Sequence, residues 1–475
     1  MVSLAFACAP VTSVVAGGGG PCAIANGQLK KNDEGQTGNG KADSMIGDEP
    51  GEMGPALRAV PLGPGRSVLG VARAWWTTCA LVSMGTRLKA RKSISCWGLG
   101  FGTTPVDIDP GKDFIPDAIV SGSYHFCALS TGGVVKCFGE NKVGQLGRGD
   151  AFTGASDNPA GFGVLPQEAT PVDLGPSARA LSIWSTRDTS CAVLFPGNVV
   201  KCWGDNSAPW RRLGDSSLGD IVGDEPGEMG AALPSVQFGP TTQVKSVAVM
   251  SWGACALVTP PVDSVSLWCW GTPGAMPYWQ VDQKRPELVT SLTHGRVLGP
   301  ALLETAIPIM DITSGGDSTC ALTAGRVTCI GSDIAGDEQP DYAMPLASRF
   351  VLVGSGQTAE AVSCSTSNYC CALLLPSATV KCWGNNDMGE LGQGDITPRG
   401  SLAGSMGDAL PSVPLAPWAD AGQSVPDAPA SPAPFNANGI PSVPPKAPLA
   451  AAGAGPTGPG KKQQGPDPNS GIPLK

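Results

Sequence analysis

The sequence predicts an all-β fold of seven repeated sheets arranged as a ring, and three observations carry that expectation. The phrase Cys-Ala-Leu-Ser-Thr-Gly-Gly-Val-Val-Lys-Cys-Phe-Gly, from Cys127 to Gly139, is a hairpin in miniature: two aliphatic runs flank a Gly132-Gly133 turn that tolerates positive φ. It recurs from Cys191 to Gly204, Cys320 to Gly331 and Cys371 to Gly384, in longer form from Cys79 and Cys255, and as a damaged copy at Cys22-Ala-Ile. The leading cysteines, at 22, 79, 127, 191, 255, 320 and 371, are spaced by 48 to 65 residues, a step that suits one four-stranded blade with variable loops. Finally, Val14, Val71, Ile119, Ile183, Val247 and Ile312 each stand eight residues before a leading cysteine, as a buried strand position would. In the seventh copy Val362 fits that offset only from Cys370, so the Cys370-Cys371 pair leaves a one-residue ambiguity.

Taken in order, the chain begins with an uncharged, moderately apolar stretch, Met1 to Gly20, which lacks the basic start of a secretory signal. Residues 1–10 are read as an extension, and Val11 onward as the first blade strand. Copy one then loses its Cys-Trp-Gly step, because Cys22 faces Lys31 where the other copies have a second cysteine, and its hairpin is expected to be the weakest. Elsewhere the Trp-Gly step leads into a turn-rich segment, clearest at Glu140 to Asp150 and Asn385 to Asp395, and then into a strand containing proline, such as Leu233-Pro-Ser-Val236 or Leu410-Pro-Ser-Val413. The last of these, Leu410 to Leu415, has no following copy and is expected to pair with the first strand. That would close the ring and remove two exposed sheet edges. From Pro417 onward Pro, Ala, Gly and Ser dominate, so residues 417–475 are expected to be a disordered tail.

Composition bounds function. With 65 Gly and 45 Pro in 475 residues, turns dominate and long helices are not expected. A net charge of -9 disfavours nucleic acid and anionic membranes as partners, and no run is long and apolar enough for a helical membrane span. Catalysis has little to stand on. His125 takes a position filled elsewhere by Thr77, Thr189, Gly253 and Ser318, and reads as a solvent-facing turn residue; His294 is the second of two histidines. Gly455 to Lys461 has phosphate-loop spacing but lacks the following Ser or Thr, the strand and the helix. No catalytic residue, metal or cofactor is expected, and the chain is read as a monomer and not an enzyme.

The combination of an aliphatic residue upstream, Cys-Ala-Leu, a glycine turn, Val-Lys-Cys-Trp-Gly and Gly-Gln-Leu-Gly-Xaa-Gly resembles the repeat of the regulator of chromosome condensation family, over residues 11–416. The resemblance implies a seven-bladed β-propeller, a fold used for nucleotide exchange factors, receptor ectodomains, ubiquitin-ligase scaffolds and secreted inhibitors, so it leaves function open. Gly-Gln-Leu-Gly is missing after copies two, five and six, Gln-Thr replaces Gln-Leu in copy one, and Ile330 stands where copy six should have Trp.

The 16 cysteines carry most of the chemistry. In the pairs 127 and 137, 191 and 202, and 320 and 329 the two lie equally far from the turn, hence opposite one another at Cα separations of about 4.5–5.5 Å, within disulfide reach. Six bridges are expected: Cys79 with Cys96, Cys127 with Cys137, Cys191 with Cys202, Cys255 with Cys269, Cys320 with Cys329, and Cys371 with Cys382. The alternative is reduced cysteines serving as small core residues; oxidation would place the protein outside the cytoplasm. Cys8, Cys22, Cys364 and Cys370 receive no partner, and no zinc-type spacing occurs.

Two surface features remain. The acidic phrase Gly-Asp-Glu-Pro-Gly-Glu-Met-Gly occurs at 47–54 and 223–230; Asp48, Glu49 and Glu52, or Asp224, Glu225 and Glu228, could hold calcium, but a solvated inter-strand loop is the preferred reading. Trp75, Trp76, Tyr124 and Trp252 stand three or four residues before leading cysteines, on loops that share one face of a ring. They form either a protein-binding rim or plugs between blades, as expected of Trp97, Trp203, Trp270 and Trp383. The sequence therefore suggests a non-enzymatic, exported scaffold binding an unidentified protein partner, with a guanine nucleotide exchange factor for a small GTPase as the alternative.

Overall fold

The computed structural model describes residues between 11 and 415, with the longer interruptions at 32–37, 39–45, 86–90, 151–162, 260–265, 272–295, 299–308 and 332–349. Cys8, Trp252, His294, the phosphate-loop look-alike and the expected tail lie outside the described residues. The described residues form seven antiparallel sheets, one per sequence copy. The first holds β1 (Val11–Gly17), β2 (Gly20–Ala25) and β3 (Gln28–Lys31), and the second β4 (Arg66–Arg73), β5 (Thr77–Met84), β6 (Arg91–Gly98) and β7 (Gly102–Ile108). The third holds β8 (Pro116–Ser121), β9 (His125–Ser130) and β10 (Val135–Gly139), and the fourth β11 (Arg179–Thr186), β12 (Thr189–Phe195), β13 (Val199–Asp205) and β14 (Ile221–Val222). β15 (Gln243–Met250), β16 (Gly253–Thr259), β17 (Ser266–Gly271) and β18 (Arg296–Leu298) make the fifth sheet. β19 (Ile309–Gly315), β20 (Ser318–Thr323) and β21 (Arg326–Gly331) make the sixth, and β22 (Thr358–Ser365), β23 (Tyr369–Leu375) and β24 (Thr379–Gly384) the seventh.

The opening strand of each sheet lies against the opening strand of the next, from β1 through β4, β8, β11, β15, β19 and β22 and back to β1. The aliphatic anchors sit on these strands: Val14, Val71, Ile119, Ile183, Val247, Ile312 and Val362 are all buried, and each pairs across the ladder with the alanine of Cys-Ala. Because Val362 pairs with Ala372, Cys371 is the true leading cysteine of copy seven. The extra residue lies in the β22–β23 loop, which spans Thr366 to Asn368 where copy four has Arg187 and Asp188 alone.

A β-bulge falls at one place in every sheet, leaving Thr12, Leu69, Asp117, Leu181, Lys245, Met310 and Glu360 unmatched in the inner ladder. Bulges sharpen the local twist of a strand. They also tie neighbouring sheets together: the Ala180 N–H beside one bulge donates to Gly133 O in the hairpin turn of the preceding sheet (2.9 Å), and the Ala359 N–H does the same to Gly325 O (2.7 Å).

Closure differs from expectation in one respect. The first sheet meets the seventh through an apolar cluster that includes Val11, Val14, Leu373, Val380 and Val413, and through a Gly54 N–H to Pro414 O bond of 2.7 Å. The late strand does not pair with β1, however; the Val413 N–H donates to Val380 O of β24 (2.8 Å). The same geometry joins Val172 to Val135, Val236 to Val200 and Val351 to Val327. The proline-containing strand is therefore the outer edge of its own sheet, where a proline costs no ladder bond, and each copy is a complete blade.

Candidate functional site

Most of the repeat chemistry locks blades to one another. Trp97, Trp203 and Trp383 are fully buried. Trp203 Nε1 donates to Gln145 O (3.1 Å) and Trp270 Nε1 to Arg212 O (2.8 Å), in each case a carbonyl from the preceding blade's turn-rich segment. A Cβ on Gly38, Gly147 or Gly214 would come within 3.0 Å of the indole of Trp97, Trp203 or Trp270, so the glycine is what lets the ring seat. The turn-rich segments are closed by buried asparagines. Asn141, Asn206 and Asn386 accept the N–H of Leu146, Leu213 and Leu391 (2.8–3.1 Å) and return an amide hydrogen to Asp150 O, Gly219 O and Asp395 O.

The acidic phrase serves the same purpose. Glu228 Oε2 accepts the N–H groups of Gly223 (2.7 Å), Asp224 (3.2 Å) and Glu225 (3.1 Å), and Glu52 Oε2 those of Gly47 (2.7 Å) and Glu49 (3.2 Å). The loops so shaped receive the Gly149 and Gly394 N–H groups on Gly223 O (2.9 Å) and Gly47 O (2.8 Å). Burial, together with Glu52 or Glu228 alongside, raises the Asp48 and Asp224 carboxyls. Glu228→Ala is expected to lower stability by about 1–2 kcal/mol in urea denaturation, and Glu228→Gln by less, because the amide oxygen still accepts.

Five of the expected bridges are present: Cys79–Cys96, Cys127–Cys137, Cys191–Cys202, Cys320–Cys329 and Cys371–Cys382, at Cα separations of 4.0–4.1 Å. Cys255 is also disulfide-bonded and pairs in register with Cys269. Cys22 is buried opposite Lys31 in the ladder, as the sequence indicated. Cys364 and Cys370, left without partners by the sequence, bond to each other across β22 and β23. The hairpin pattern could not reveal this pair, because Cys364 lies on the inner strand, outside the repeated phrase.

His125 is a second correction. It is fully buried, and burial pushes its pKa down to about 3. Its Nε2 lies 2.8 Å from Ser190 Oγ, whose own hydrogen goes to Gln145 O (3.1 Å), so Nε2 carries the proton; Nδ1 is buried with no hydrogen-bond partner. Thr77 and Thr189, at the same repeat position, are buried too and donate to Leu99 O (2.9 Å) and Asp205 O (3.0 Å). Polar side chains here satisfy the next loop rather than face water.

Other exposed apolar residues, such as Val134, Phe195 and Leu375, are scattered singly over hairpin turns, but the exposed aromatic rings named by the sequence lie on the loops between first and second strands. Trp76 and Tyr124 are exposed, at 38 % and 41 %, and Trp75 is half-buried. The Trp75 N–H donates to Ser123 O (2.9 Å), which joins the loops of the second and third blades. Leu99, 42 % exposed, donates its N–H to Trp76 O (2.8 Å) and extends the patch; the sequence reading missed it, since a leucine after Trp-Gly carries no periodic signal. Beside this patch opens an axial cavity lined by residues from all seven opening strands, among them Gly17, Arg73, Gly122, Thr186, Ser314 and Ser365. On the same side, burial and the neighbouring Glu140 and Asp205 carboxylates push Asp188 up to about 6. Among the described residues no helix is long and apolar enough to cross a membrane.

Residues 117–145 match the regulator of chromosome condensation (RCC1) repeat. No curated protein matches the chain. Among solved structures it is similar to human WBSCR16, at 16 % identity over 75 % of this chain and 84 % of that one, with a TM-score of 0.51. It is likewise similar to yeast RCC1 (Prp20), solved with Kap60 bound, at 16 % identity over 75 % and 78 % of the two chains and a TM-score of 0.53. The structure of Prp20p from Saccharomyces cerevisiae gives 14 % identity over 75 % and 80 %, with a TM-score of 0.54. At these identities the likeness concerns the fold. With a regulator of chromosome condensation repeat matched at its third blade and seven sheets whose opening strands neighbour one another around a ring, the chain has the fold of a seven-bladed β-propeller similar to those structures.

Proposed function

We propose that the propeller is a non-enzymatic scaffold that binds a protein through the face carrying Trp75, Trp76, Leu99 and Tyr124. The observation that carries this reading is a contrast within one residue type: Trp97, Trp203 and Trp383 are consumed between blades, whereas Trp76 and Tyr124 present ring surface to solvent on loops joined by a backbone hydrogen bond. Rigid aromatic side chains on a fixed rim are the commonest anchors of protein interfaces. The cystine in nearly every blade supports an exported protein, since such bonds persist in oxidising compartments.

The test is capture of a partner from the source, followed by reconstitution of a defined complex from purified components. Trp76→Ala with Tyr124→Ala is expected to weaken that complex by at least tenfold while leaving the unfolding midpoint within experimental error. An undiminished affinity would move the site elsewhere. One structure of similar fold is that of Prp20p, with its binding properties to Gsp1p and histones. Accelerated nucleotide release from a small GTPase by this chain would favour the exchange-factor reading instead.

A further inference from the structure

The sulfur chemistry of the seventh blade differs from that of the others. In the fourth blade, Ser185 and Ser190 face each other across the inner ladder, and Ser190 Oγ lies 3.5 Å from Cys127 Sγ of the preceding blade. Copy seven places Cys364 and Cys370 at the corresponding ladder pair. Their sulfurs consequently approach the leading cystine of blade six, with Cys364 Sγ 3.4 Å and Cys370 Sγ 3.7 Å from Cys320 Sγ. Cys329, bonded to Cys320 across the hairpin, places a further sulfur beside Cys320, although it stands outside the group of three that lie within 4.8 Å of one another. The Cys364 N–H donates to Thr313 Oγ1 of blade six (3.1 Å), which fixes the two sheets in this relation. Among the described residues, Cys320, Cys364 and Cys370 are the one group whose ligand atoms lie close enough together to share a metal ion.

We propose that the reduced chain binds one zinc ion through Cys320, Cys364, Cys370 and Cys329, and that this site and the Cys320–Cys329 and Cys364–Cys370 bonds are alternative states of one cluster. Tetrahedral zinc with thiolates at about 2.3 Å sets its ligand sulfurs about 3.8 Å apart, so the two inter-blade contacts already have nearly the length of a coordination edge. The surroundings, with Leu322, Val327, Leu374 and Trp383, are apolar. Four thiolates there would be strongly disfavoured unless bound covalently or by a cation. Conversion balances with a water-soluble phosphine as reductant: each disulfide is cleaved to two thiols, the phosphine takes up an oxygen atom from water and becomes the phosphine oxide, and zinc then displaces one proton from each of the four thiols. The proposal does not depend on the docking face.

The full chain, prepared under phosphine with zinc present and desalted anaerobically, is expected to carry one zinc per chain by atomic emission. Cobalt substituted for zinc should give the intense visible bands of a tetrahedral site and a thiolate-to-metal charge-transfer band of three or four ligands. Cys364→Ser with Cys370→Ser, which reproduces the serine pair of blade four, should lose that metal, while Cys79→Ser with Cys96→Ser should keep it. Treatment of the zinc form with a disulfide-forming oxidant should release one zinc as the Cys320–Cys329 and Cys364–Cys370 bonds re-form, read by peptide mapping of those two bridges. Reduced wild-type chain without zinc, a cobalt spectrum of fewer than three thiolates, or undiminished zinc in the Cys364/Cys370 variant would each overturn the proposal.

Discussion

Trp203→Ala is expected to cost about 3–5 kcal/mol, the range for truncating a fully buried aromatic in a core that cannot collapse around the void. The void would open between two blades. The indole of Trp203 rests on Gly147 of the third blade, and its N–H is one of two donors to Gln145 O, the other being Ser190. Truncation therefore removes packing and a hydrogen bond at once, although Ser190 still holds the carbonyl. Trp203→Phe separates the two contributions: most of the apolar contact survives, and the loss should be nearer about 1 kcal/mol. Trp76→Ala, on the exposed rim, is the control and should fall within about 0.5 kcal/mol of wild type. The measurement is the guanidinium unfolding midpoint for all three. Equal effects at positions 76 and 203 would contradict the division of the tryptophans into fastening and presenting groups.

That division also marks how much of the molecule was legible in the sequence. The cystine hairpins were, because a strand alternates sides every residue and a symmetric turn forces two equidistant cysteines into register. The repeat anchors were too, since burial demands an aliphatic residue at one offset in every copy. The bulges were not. Their unmatched residues, from Thr12 and Asp117 to Leu181 and Met310, share no chemistry, and the last two are more than half exposed. A bulge that only requires room for a side chain leaves no trace in residue type. The carboxylate staples escape a sequence reading for the opposite reason: Glu52 and Glu228 look like solvated loop residues, yet each accepts backbone N–H groups that would otherwise be unsatisfied, as the Oδ1 atoms of Asn141 and Asn386 do. Sequence polarity records the ability to bond, and only the fold decides whether water or the chain is the partner.

His125 turns that lesson into a pH-dependent stability. In the folded protein its imidazole stays neutral down to about pH 3, because burial penalises the cation; in the unfolded chain it takes up a proton near pH 6.5. Between those values the unfolded state binds one more proton than the folded state, so stability falls as pH falls, by about 1.4 kcal/mol per unit and on the order of 4–5 kcal/mol across the whole window. Protonation has no compensating bond to make, since Nε2–H already donates to Ser190 and an added Nδ1–H would meet no acceptor. Asp188, on the adjoining turn, opposes this over part of the range: raised to about 6, it binds its proton more readily in the folded state, and so adds stability as pH falls from about 6 toward 4. The net wild-type profile is therefore a compromise, and the histidine must be isolated by difference. His125→Gln retains an amide able to donate to Ser190 and removes the titration. Subtracting its stability from that of wild type at each pH, from 7.5 to 4 by urea denaturation, should give a difference that is flat above pH 7 and falls by about one proton's slope below pH 6. A difference independent of pH would mean that the imidazole is as easily protonated in the ring as in the unfolded chain, and that the Ser190–Gln145–Trp203 network does not exclude water from the junction of the third and fourth blades.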